Sequence, residues 1–160
     1  QYIYTIQVLY ARLRVFIMNS NSNILNIYKK VIKSGDLQKN PHEIVKLVLT
    51  ELSRTMKMIS DDIEKKKVFV LKEGSSDLIN IQKSISKNVS RSLTTIYSLQ
   101  TSLDFDKGGK IATGLFQIYE YCRLQIIQGF SKSINSGIIK AKNALDQILS
   151  AWSSMETKSN

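Results

Sequence analysis

Apolar residues at Ile134, Ile138, Ala141, Leu145, Ile148 and Trp152 fall alternately four and three positions apart. That spacing draws one stripe along an α-helix, the seam of a bundle helix. A strand, whose faces alternate every second residue, cannot bury it. Three more stretches behave alike. Val45, Val48, Leu52, Met56, Ile59 and Ile63 form one row; Leu78, Ile81, Ile85, Val89, Leu93, Ile96, Leu99 and Leu103 a second; Ile111, Leu115, Ile118, Cys122, Ile126 and Phe130 a third. Breakers are scarce, with one proline and seven glycines in 160 residues. The economical fold is therefore all-α, an antiparallel four-helix bundle over 40–153.

The boundaries follow from turn and cap chemistry. Asn40-Pro41-His42-Glu43 reads as a helix start, with asparagine as cap, proline in the first turn and an acid completing a capping box. The first long helix is expected to end near Lys65, where lysines suit the helix dipole. Residues 65–77 break the pattern, and Val68-Phe69-Val70-Leu71 is β-prone but too short to build a sheet alone. Gly74-Ser75-Ser76 supplies a stop and a new cap, and Ser133 to Gly137 a second polar break. A short extra helix, about Ile24 to Lys33, is expected within an N-terminal segment spanning 18–39. A polar tail covers 154–160.

Residues 1–17, QYIYTIQVLYARLRVFI, are apolar and aromatic with Arg12 and Arg14 inside the run. Those charges suit neither a membrane span nor a signal peptide, whose charge precedes its apolar stretch. Met18 follows at once, so the preferred reading is an upstream arm ahead of a natural start. The alternative is a short arm that packs on the body, with Val68–Leu71 as a strand partner.

Little here suggests catalysis. A di-iron bundle needs Glu-x-x-His pairs, and the chain has a single histidine, His42, read as an exposed first-turn residue. The single cysteine, Cys122, excludes an internal disulfide framework and fits a reducing compartment. It falls on an apolar row, as a core residue does. Gly108-Gly109 lacks the spacing of a phosphate loop, and Asp104 and Asp106 would repel phosphate. Asp61, Asp62 and Glu64 read as a solvated helix face without calcium-loop spacing. No cofactor and no metal are expected, and the chain is not read as an enzyme. The net charge of +10 invites a second reading, a basic helical nucleic-acid-binding protein. Against it, the lysines are dispersed apart from Lys65-Lys66-Lys67, and an AT-rich coding bias yields the same composition.

The segment Leu99 to Ala112, LQTSLDFDKGGKIA, is more specified than a turn requires. It resembles the hallmark of the flagellin-specific export chaperones, the FliS family. There a leucine-glutamine-x-serine-leucine-aspartate ends one helix and a lysine-glycine-glycine opens the next. The matching residues are Leu99, Gln100, Ser102, Leu103, Asp104, Lys107, Gly108 and Gly109. Pro41-His42-Glu43-Ile44, Tyr119-Glu120-Tyr121-Cys122 and Ala151-Trp152 resemble further family marks in the right order. The chain departs from the pattern in its longer, more apolar stretch at 65–77, at Leu124-Gln125 and Phe130, and in residues 1–17, which have no counterpart.

The resemblance implies a cytoplasmic chaperone. It would bind the C-terminal segment of flagellin, disordered in the monomer and helical in the filament, in apolar grooves between helices. Premature polymerisation is thereby blocked and export aided. The flagellar export gate is a further implied partner, and whether the free chain pairs as a homodimer is left open. Neither nucleic acid nor membrane insertion enters this reading. Candidate contact residues are apolar positions beside the main seams: Ile44, Leu47, Leu49, Ile79, Tyr97, Leu124 and Ile127. Tyr28 joins them because the family's N-terminal segment can lie over the groove. Ordinary packing is the alternative for each.

Overall fold

The computed structural model describes residues 41–71 and 76–156, with the side chains of 41, 42, 155 and 156 left aside. They form four helices: α1 (Pro41–Val70), α2 (Ser76–Thr101), α3 (Phe105–Lys132) and α4 (Ser136–Glu156). The expected short helix at 24–33, the arm at 1–17, Tyr28, Asn40 and residues 157–160 lie outside the described residues. So does the side chain of His42.

The helices pack as a ring, α1 on α2, α2 on α3, α3 on α4 and α4 back on α1. Partners that bridge neighbours advance along one helix as they retreat along the other. Lys66 bonds Gln82, Asp62 bonds Ser84, and Arg91 reaches Glu51. Likewise Asn135 bonds Glu64 while Asp146 bonds Ser53. Both α1 seams are thus antiparallel, giving up-down-up-down connectivity with short turns.

The core lies where the apolar rows meet. Val45, Val48, Leu52, Met56, Ile59 and Ile63 of α1 are buried, with Ile85, Val89, Ile96 and Leu99 of α2 and Ile138, Ala141, Leu145 and Trp152 of α4. On α3 the row is shifted. Ala112, Tyr119, Cys122, Ile126 and Gly129 face inward, whereas Ile111 and Phe130, expected inside, stand exposed. The cause is steric. A Cβ on Gly129 would sit 2.5 Å from the Ile138 side chain and 2.7 Å from the Ile134 carbonyl oxygen. Backbone therefore packs there against α4, and Phe130 is turned outward. Ile134, expected to begin the α4 seam, lies in the connecting turn and is exposed as well.

Two further expectations are corrected. Helix α1 does not stop at Lys65 but runs to Val70, so Val68–Val70 is helical and no strand forms there. Ion pairs Asp62–Lys65 and Glu64–Lys67 brace that last stretch at helical spacing, and Lys66 ties it to α2. These contacts and the neighbouring helix override a weak β propensity. Second, Asp62 is not on a solvated face. It is buried against α2, where its Oδ2 accepts from Ser84 Oγ at 2.6 Å.

Candidate functional site

The α2–α3 connection is short because it is fully capped. Ser102 Oγ donates to the Leu99 carbonyl at 2.8 Å and its backbone N–H to Ser98, closing α2. Asp104 is the N-cap of α3, its carboxylate accepting from Lys107 N–H at 3.0 Å. Gly109 then takes φ +49°, ψ −128°, a conformation side-chain-bearing residues avoid. The kink folds the first turn of α3 back on the helix. Phe105 and Phe116 sit edge to face, centroids 5.9 Å apart, although eleven residues of straight helix would span about 16 Å.

One polar bridge crosses from this turn to the body of α3. Gln100 Nε2 donates to Glu120 Oε2 at 3.0 Å, and Arg123 Nε donates to the same oxygen at 2.9 Å. Hydrogen bonds from Arg123 and then Gln100 hold the Glu120 carboxyl down to about 2. The pair thus joins the Leu-Gln and Tyr-Glu-Tyr motifs, twenty residues apart in sequence.

This bridge fixes which flank of α3 borders α2. Phe116, Leu124 and Ile127 lie four residues before, four after and seven after Glu120, on the same side of the helix. All three are exposed, as is Phe130 beyond them. On α2, Tyr97 and the half-buried Leu93 lie three and seven residues before Gln100. Ile79 shares the Tyr97 row eighteen residues away, about five whole turns. Tyr97 and Ile79 are each 61% exposed. Exposed aliphatic and aromatic side chains thus stand on both α2 and α3 beside their seam.

The structure treats the sequence-derived candidates unequally. Tyr97, Leu124 and Ile127 stand beside this seam, and Ile79 is exposed on the Tyr97 row near the start of α2. Leu47 is exposed on the outer face of α1, apart from the seam. Ile44 and Leu49 are core residues at 5% and 1% exposure, which corrects their expected groove positions. Helix α1 is flanked by both α2 and α4, so positions beside its main row are covered too. Phe105, Phe116 and Phe130 belong to the apolar surface but were not among the candidates. Phe105 sat inside a motif read as a turn, and Phe130 sat on a row read as core.

Burial pushes the Cys122 thiol up to about 12, and its Sγ faces the Ala141 carbonyl oxygen at 3.6 Å. It stays a neutral thiol at physiological pH, without nucleophilic character. Burial also raises the Tyr119 phenol. Among the described residues no group of three or more His, Cys, Asp or Glu could hold a metal, and no helix is long and apolar enough to cross a membrane.

Comparison with known proteins agrees with the hinge. The chain is 22% identical over 129 residues to the flagellar secretion chaperone FliS of Salmonella typhimurium, covering 81% of this chain and 86% of that one. No solved structure matches. The family model described as flagellar protein FliS matches residues 24–159, so the chain belongs to the FliS family of flagellar proteins.

Proposed function

We propose that this chain is a cytoplasmic export chaperone that holds the C-terminal segment of flagellin and hands it to the flagellar export gate. The observation that carries the reading is the exposed apolar lining of the α2–α3 seam, where Tyr97, Phe116, Leu124 and Ile127 stand on two parallel-sided banks. An amphipathic helix laid over such a surface buries its apolar stripe against it. A segment disordered on its own spends ordering entropy when it docks, which keeps affinity moderate and favours release. The Salmonella relative's description as a flagellar secretion chaperone supports the same reading. The chain then acts by occupancy, keeping the client from polymerising, rather than by catalysis.

Co-purification with a flagellin C-terminal segment tests this. The doubly substituted Leu124→Ala/Ile127→Ala chain should bind that segment roughly tenfold or more weakly, since both side chains sit mid-surface. Its thermal unfolding should be nearly unchanged. Retained binding, or no binding by the unsubstituted chain, would sink the reading.

A further inference from the structure

The four helices do not end level. Asn135, in the α3–α4 turn, donates to Glu64 Oε2 at 3.2 Å and to the Ser60 carbonyl at 3.5 Å. That turn therefore lies beside the Ser60–Glu64 stretch of α1. Helix α1 runs on to Val70, about 9 Å past Glu64. Helix α2 accompanies it, since it begins at Ser76 and Lys66 bonds Gln82. The α1–α2 pair thus stands proud of α3 and α4 as a two-helix prong.

The prong carries a core row beyond the core. Ile59 and Ile63 are buried, yet Val70, two turns past Ile63 on the same face, is 61% exposed because the other helices end below it. Leu71 follows Glu64 by the same two turns, clears the α3–α4 turn that Glu64 touches, and is 85% exposed. Val68 and, on α2, Ile79 are exposed too. Cations stand behind these residues. The stretch of α1 after Ile63, the stretch of α2 before Ser84 and residues 130–137 contain Lys65, Lys66, Lys67, Lys83 and Lys132, against Glu64 and Asp77. Glu64 is already paired with Lys67. Lys83 and Lys132 are exposed on different helices, and no ion pair holds either among the described residues. Lys65 to Lys67 lie about 6–9 Å behind Leu71 along the helix axis.

We propose that this end of the bundle rests on an anionic lipid surface, with Val70, Leu71 and Ile79 entering the headgroup region and the lysines beside the lipid phosphates. An element bound at such a surface sinks its apolar side by about 5–10 Å, which is the distance from the prong tip back to the lysines. Each lysine near the surface adds attraction, and its long stem keeps the charge at phosphate level while the tip goes deeper. The contact is peripheral, since no described helix is long and apolar enough to cross a membrane. Nucleic acid would engage the lysines but leave the exposed valine, leucine and isoleucine nothing to bury against. A second copy meeting tip to tip would set lysines against lysines. The proposal is independent of the flagellin reading, which uses the α2–α3 surface.

Sedimentation of the full chain with phosphatidylcholine vesicles, with and without about 40% phosphatidylglycerol, tests this. Only the anionic vesicles should bind, about tenfold or more weakly at about 500 mM salt than at about 50 mM. Lys83→Gln/Lys132→Gln breaks no ion pair among the described residues and should bind about tenfold more weakly. Lys46→Gln/Lys110→Gln, at the far end of the bundle, should bind as the unsubstituted chain does. Val70→Ser/Leu71→Ser leaves the charge unchanged and should also lose about tenfold. Matching melting curves establish that each variant folds. Leu71→Trp should shift its emission to the blue on anionic vesicles and not on duplex DNA. Normal binding by the serine variant, or no blue shift on vesicles, would mean contact through charge alone and overturn the proposal. Equal losses in both lysine variants, or no binding by the unsubstituted chain, overturn it as well. Binding of a flagellin segment, measured separately, is decided by none of these outcomes.

Discussion

Along the α1–α2 seam, Asp62, Glu51 and Lys66 reach across to Ser84, Arg91 and Gln82, and Thr55, Ser92 and Thr95 are buried nearby. Along the α2–α3 seam a polar bridge, Gln100 to Glu120, stands among exposed Tyr97, Phe116, Leu124 and Ile127. The first seam puts polar groups inside and pairs most of them: Thr55 and Thr95 donate to the Glu51 and Arg91 carbonyls one turn back, whereas the buried Ser92 Oγ has no hydrogen-bond partner. The second leaves apolar groups outside. Two adjacent pairs in one bundle thus solve different problems. Buried polar pairing fixes the register of α1 on α2, whereas the second seam leaves apolar side chains of α2 and α3 exposed.

Equal truncations should break this symmetry of size. Ile59→Ala empties a fully buried site and should cost about 2–5 kcal/mol in denaturant unfolding. Ile127→Ala removes the same atoms from a side chain already 37% exposed, and should cost under about 0.5 kcal/mol. A large loss at Ile127 would place it in the core and remove it from the docking surface. Gly129→Ala tests the third seam, where α3 backbone meets Ile138. Overpacking there should cost about 1–3 kcal/mol. The smallest effect belongs to the polar bridge. Glu120 is held well below its ordinary 4.5, at about 2, so its contribution to stability is complete above pH 4.5 and disappears as pH falls to about 2. Glu120→Gln should lower the melting temperature slightly at neutral pH and flatten its decline over that acid window. A parallel decline in both chains would show that the bridge does not stabilise the fold.

The four-helix plan was legible because apolar spacing and cap residues are local signals. The row of α1 and most of the rows of α2 and α4 land inside as their period requires. Periodicity counts large apolar residues, however, and is blind to positions where contact demands a small one. It therefore put Phe130 inside and overlooked Gly129, which α4 approaches too closely for any side chain. Nor does it register how wide the buried face of a helix is, so Ile44 and Leu49 read as margins although both are buried. Val68–Val70 misled for a third reason: its β-branched residues carry a weak preference that ion pairs and a neighbouring helix outweigh. Of the exposed apolar residues on α2 and α3, Ile79, Tyr97, Leu124 and Ile127 were readable as apolar residues off the main rows. Phe105 was not, because only the Gly109 kink brings it beside Phe116.

Cys122 has a use beyond packing. It is the sole thiol in the chain, it is fully enclosed between α3 and α4, and its proton is held far above neutrality. Reagents that alkylate thiols can reach it only when those two helices part. The speed of its labelling is therefore a clock for that opening, read from a single site with no residue introduced. Run with and without a bound helix, the clock reports whether occupancy of one side of α3 steadies the other.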